Sequence, residues 1–114
     1  MSYLIELQTP EEIDAIKEKS SVKPQVIFKH STRCSISSMA LNRIDKAEIA
    51  ALNADFYLLN IIRHRDISGK IEKDFRIIHE SPQLLIIKNG TCIYDESHSA
   101  IRLNEIESVM NELT

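Results

Sequence analysis

A chain of 114 residues that is 43% hydrophobic and 27% charged has the makeup of one globular domain, spanning residues 1–114, with no internal repeat and no room for long linkers. Its net charge of −3, with Lys and Arg scattered among Asp and Glu apart from a short cluster at Arg63, His64 and Arg65, argues against a nucleic-acid partner. No basic-then-apolar leader opens the sequence and no apolar run approaches the ~18 residues of a membrane span, so no membrane partner is expected and a cytoplasmic location with free thiols at Cys34 and Cys92 is.

In chain order, Tyr3 to Leu7 alternates apolar and polar residues and predicts a short strand. Thr9-Pro10-Glu11-Glu12 then opens a helix, with Thr9 as N-cap, Pro10 at the first helical position and Glu12 completing a capping box. Ile13 and Ile16 face the core, and this helix should end near Ser20. Pro24 precedes QVIFKH, a buried strand ending near His30. After Cys34, the residues Ile36, Met39, Ala40 and Ile44 recur at helical spacing to about Glu48. DFYLLNII, residues 55–62, is almost continuously apolar, as in a parallel strand covered on both faces. Ile67, Ile71, Phe75 and Ile78 mark a third helix. In SPQLLIIKNGTCIYDES, two strand-like runs flank Asn89-Gly90, whose tolerance of positive φ predicts an antiparallel hairpin. Leu103, Ile106, Met110 and Leu113 form the stripe of a last helix. The order β-α-β-α-β-α-β-β-α predicts an α/β domain with a central mixed sheet and helices on both faces.

Cys34 falls where a strand hands over to a helix, the end at which open α/β sheets place their chemistry. Unpaired N–H groups and the positive end of the dipole there favour a thiolate, and His30, Arg33 and Lys29 are candidate supporting cations. Ser37, three residues on, can offer its hydroxyl or N–H to the sulfur but cannot close a disulfide. A C-x-x-S motif therefore stops at a mixed disulfide until an outside thiol resolves it. The plainer reading of Cys34 is a small residue standing in for Ser as helix cap. Pro82 stands directly before a strand, either as a boundary marker or as a cis proline that exposes the backbone of Ser81 to a bound peptide or thiol.

The element order, a cysteine opening the second helix and a proline before the fourth strand resemble a thioredoxin fold. More narrowly, FKHSTRCSISSMA, HESPQLLIIKNG and Ser97-His98 resemble the monothiol bacilliredoxin family over nearly the whole chain. The resemblance implies a cytoplasmic enzyme that removes bacillithiol, or another low-molecular-weight thiol, from mixed disulfides on other proteins. It implies Cys34 as attacking thiolate, Pro82 as cis-proline of the substrate groove, and His98 as a groove residue. No tightly bound cofactor is expected; the small thiol is a co-substrate and S-thiolated proteins are the partners. The family motif reads Thr-Cys-Pro-Ile-Ser, and here Arg33 and Ser35 replace its first and third residues. Arg33 would favour the thiolate and attract an anionic thiol. Ser35 frees an N–H at the helix start but loosens the turn, and these act in opposite directions on the sulfur.

Cys92 is a small strand residue by position, and resolves Cys34 only if the fold brings the two Cα atoms within ~7 Å. His30 and Cys34 lack the paired ligand doublets of a zinc site. An iron–sulfur carrier of the monothiol glutaredoxin type would need a Cys-Gly-Phe-Ser motif whose Gly and Phe are missing here. A thioredoxin-like binding module without turnover is the rival of a different class.

Overall fold

A computed structural model describes residues 4–44, 49 and 52–113. The elements are β1 (Ile5–Glu6), α1 (Glu11–Lys19), β2 (Gln25–His30), α2 (Ser35–Ile44), β3 (Asp55–Asn60), α3 (Arg65–Phe75), β4 (Gln83–Lys88), β5 (Thr91–Ser97), a 3-10 turn (His98–Ala100) and α4 (Leu103–Glu112). One five-stranded sheet runs in the order β1-β3-β2-β4-β5. The first three strands are mutually parallel, and β4 and β5 are antiparallel to their neighbours. This is the expected mixed sheet, with β2 at its centre.

Local chemistry sets the boundaries. The Glu12 carboxylate accepts the N–H groups of Gln8 and Thr9, each at 2.7 Å, which forms the backbone half of the expected capping box. The Thr9 hydroxyl turns to the same carboxylate at 3.4 Å instead of capping a helical N–H. Asn60 ends β3 because its Oδ1 accepts the N–H groups of Ile62 and Arg63, folding the chain out of the strand two residues earlier than residue 62. Arg76 adopts φ 57° and stops α3, so Ile78 lies beyond the helix and is 79% exposed rather than core. Asn89 and Gly90 both take positive φ, 53° and 74°, as a tight hairpin turn requires. That turn is tied to the end of α1, where Ser20 Oγ accepts the Gly90 N–H at 2.8 Å and the Ser20 carbonyl accepts the Asn89 N–H at 2.9 Å.

Each sheet face carries its own core. Val26, Phe28, Leu84 and Ile86 meet Ala40 and Ile44 of α2 and Ile106 and Met110 of α4. On the opposite face Ile27, Tyr57, Leu59, Leu85 and Ile87 meet Ile13 and Ile16 of α1 and Ile67, Ile71 and Phe75 of α3. Each such side chain contributes about 1.5–3 kcal/mol by leaving water. The stripe of α2 differs from expectation: Ser37, Ala40 and Ile44 are buried, while Ile36 and Met39 are exposed. The expected extension of this helix to Glu48 and the start of the first strand at Tyr3 lie outside the described residues. Among the described residues no helix is long and apolar enough to cross a membrane.

Candidate functional site

β2 ends at His30, and the chain turns through Ser31, Thr32 and Arg33 into α2. The Cys34 N–H closes this turn on the Ser31 carbonyl at 3.2 Å. The Cys34 carbonyl accepts the Ser38 N–H at 3.1 Å, the first bond of the helix, so Cys34 is its N-cap residue and is half-buried. The N–H groups of Ser35, Ile36 and Ser37 have no acceptor among the described residues. Free amide donors and the positive end of the helix dipole thus coincide with the cysteine. Arg33 and Ser35, on either side of it, are exposed.

Ser37 is fully buried and its hydroxyl is committed to the loop, not available to the sulfur. Its Oγ accepts the Ser31 N–H at 3.0 Å and lies 2.7 Å from His30 Nδ1. The oxygen donates its proton to Nδ1 or accepts one from it according to the tautomer of the ring. Burial lowers the His30 pKa from its ordinary value, which disfavours the charged ring as the supporting cation expected beside Cys34. Lys29 is not that cation either. Strand alternation sends Phe28 and His30, whose rings stack at 6.1 Å, to the α2 side and Lys29 to the other. There the buried Lys29 Nζ meets His79 Nδ1 at 3.2 Å.

The Ser81-Pro82 bond is cis. Gln83, the first residue of β4, pairs with Lys29, which sets Pro82 beside the end of β2 from which the Cys34 turn springs. The Pro82 carbonyl accepts the His98 N–H at 2.9 Å, and α2 packs against the 3-10 turn that starts at His98. The fold therefore gathers Arg33, Cys34, Ser35, Ser37, Ser81, Pro82 and His98 at one end of the sheet. The His98 side chain is exposed, with Nε2 3.4 Å from Glu80 Oε2, an ion pair when the ring is protonated. The Ser81 hydroxyl oxygen is buried and has no partner among the described residues.

Cys92 goes to the other end. It pairs with Ile87, which pairs with Gln25 at the start of β2, five residues from His30 or about 16 Å along the strand. That is beyond the ~7 Å limit for a disulfide with Cys34. Its Sγ donates to the Tyr94 carbonyl at 3.3 Å, and burial pushes the thiol up to about 11.

Two features escaped the sequence reading. Ile36, 47% exposed, and Met39, 59% exposed, form an apolar rim on the first turns of α2. Between β1, β3, α2 and the segment after β3 lies a cavity of about 230 Å³, whose lining includes His30, Thr32, Asn60, Arg63 and His64. Its walls come from β1, the end of β2 and its turn, α2, β3 and the segment after β3; the signal present in sequence was the Arg63-His64-Arg65 cluster.

Comparison with known proteins gives one family match and many structural ones. The family model described as monothiol bacilliredoxin BrxC matches residues 5–106. Among solved structures the chain is similar to one described as a proposed oxidoreductase with a thioredoxin fold, at TM-score 0.81 and 26% identity over 93% of this chain and 92% of that one. It is also similar to oxidised mitochondrial thioredoxin 3 of Saccharomyces cerevisiae, at TM-score 0.75 and 18% identity over 98% and 99% of the two chains. Fasciola hepatica thioredoxin matches at TM-score 0.77 and 10% identity over 97% and 100%.

Proposed function

The chain belongs to the monothiol bacilliredoxin family and has a thioredoxin fold, and on that premise we propose that it removes bacillithiol, or a similar small thiol, from protein mixed disulfides through Cys34. The observation that carries this reading is the pairing of Cys34 with a serine at position 37. The helix-start amides suit a sulfur anion, and the position of a resolving sulfur holds a hydroxyl already bonded to Ser31 and His30.

The Cys34 thiolate attacks the small-thiol sulfur of the mixed disulfide. That sulfur's bond to the protein breaks, and the protein leaves as a thiolate that takes a proton from water. Cys34 now carries the small thiol. A second small-thiol molecule attacks that sulfur, frees Cys34 and departs with the first as a symmetric small-molecule disulfide, so the incoming thiol is the reductant and the disulfide bond passes from the protein to the small-molecule pair. Arg33 favours the anion and draws in a carboxylate-bearing thiol. Ser35, Ser81, Pro82 and His98 line the approach of the S-thiolated protein. A reducing, cytoplasmic setting fits two unpaired thiols.

Intact mass after exposure to a bacillithiolated protein tests the reading. Wild type should gain one bacillithiol, and Cys34→Ser none. A wild-type protein that gains nothing at near-neutral pH would instead be a binding module without turnover.

A further inference from the structure

We infer that the cavity of about 230 Å³ beside the Cys34 turn seats the polar, carboxylate-bearing end of the small thiol while its sulfur is joined to Cys34. The inference rests on the thiol transfer proposed above and adds where the thiol is recognised. Thr32 lines the cavity and is two residues from Cys34, so their Cα atoms are no more than about 7 Å apart. The Cys34 turn and the cavity thus share Thr32 as a common wall.

The lining suits an oxygen-rich anion. His30 is tied to Ser37 through Nδ1, which leaves Nε2 as the ring nitrogen able to face a ligand in the cavity. Thr32 adds a hydroxyl. Arg63 supplies the cationic side, as a fork matched to a carboxylate. Asn60 uses its Oδ1 on the N–H groups of Ile62 and Arg63, which holds the Arg63 backbone at the mouth. Glu6 also lines the cavity, and an acid there fits an ammonium or hydroxyl on the same ligand while disfavouring a bare polyanion. The class of ligand is a small thiol that carries carboxylate together with amine or hydroxyl groups.

The test compares two mixed disulfides of one carrier protein, one with bacillithiol and one with uncharged β-mercaptoethanol, and follows transfer to Cys34 by mass. Arg63→Glu reverses a surface charge at the mouth without touching the core. It should slow bacillithiol transfer by about tenfold or more and leave β-mercaptoethanol transfer within about twofold of wild type. Equal slowing of both, or of neither, would overturn the assignment of the cavity while leaving the transfer chemistry intact. Wild type that accepts neither thiol would overturn the transfer chemistry and the cavity assignment together.

Discussion

The Ser37 hydroxyl sits 2.7 Å from His30 Nδ1 and also holds the Ser31 N–H, so one buried oxygen fastens both ends of the turn that carries Cys34. The third residue after Cys34 thus has a structural duty in this chain. Ser37→Ala strands a buried N–H and a buried ring nitrogen, and should destabilise the fold by about 1–3 kcal/mol in urea unfolding. It should also slow thiol transfer to Cys34, because the turn loses its tie. An unchanged unfolding midpoint would show that the hydroxyl does not hold the turn.

Cys92 should be a spectator. With its thiol pushed up to about 11, it is almost wholly protonated at pH 8, whereas Cys34 lies among free amide donors. Iodoacetamide at pH 8 should label Cys34 first by at least about tenfold in rate, and Cys92 mainly after unfolding. Cys92→Ala should transfer small thiols at the wild-type rate. A loss of turnover in that variant would mean the second sulfur takes part.

Ile36 and Met39 are exposed apolar residues on the helix that Cys34 opens, where a protein substrate has to approach. Ile36→Asp and Met39→Asp should lower kcat/KM for an S-thiolated protein by about tenfold, equivalent to ~1.4 kcal/mol. Exchange with a free small-molecule disulfide should be little affected. Equal loss with both substrates would place the effect on the sulfur itself.

Lys29 carries a pH signature. Burial pushes its ammonium from 10.5 down to about 8, against the attraction of Glu72, Cys92 and Asp95. Between those two values the unfolded chain binds a proton that the folded chain has shed, so stability rises with pH through this window. Below it, the buried charge is a constant penalty. Relative to Lys29→Met, wild type should gain on the order of 3 kcal/mol between pH 8 and 10.5 in denaturant titrations, and the variant should be the more stable at pH 7. A difference that does not change with pH would remove Lys29 as its source.

The element order was readable because each boundary carries its own local chemistry, as at Thr9-Pro10-Glu12 and Asn89-Gly90. The cysteine at a helix start was readable for the same reason. What escaped depends on distance in sequence. Ile36 and Met39 share helical spacing with Ala40 and Ile44, and only packing against β2 and α4 decides that Ser37 takes the inner face instead. The parity of Lys29 and His30 followed from strand alternation, but which parity faces α2 did not. Cys92 could be placed far from Cys34 only once the hairpin register was known. The cavity near Thr32 needs β1, the end of β2 and its turn, α2, β3 and the stretch around Arg63 to meet, and no window of sequence contains them all.

β2 is paired along its length with β3 on one side and along Gln25–Lys29 with β4 on the other, and it delivers the chain directly to Cys34. Amide protons in such a doubly flanked strand exchange last, through opening of the whole molecule. Fraying of an edge strand therefore leaves the strand that delivers the sulfur in place, and Cys34 should keep its position at the helix start until the native state itself is lost.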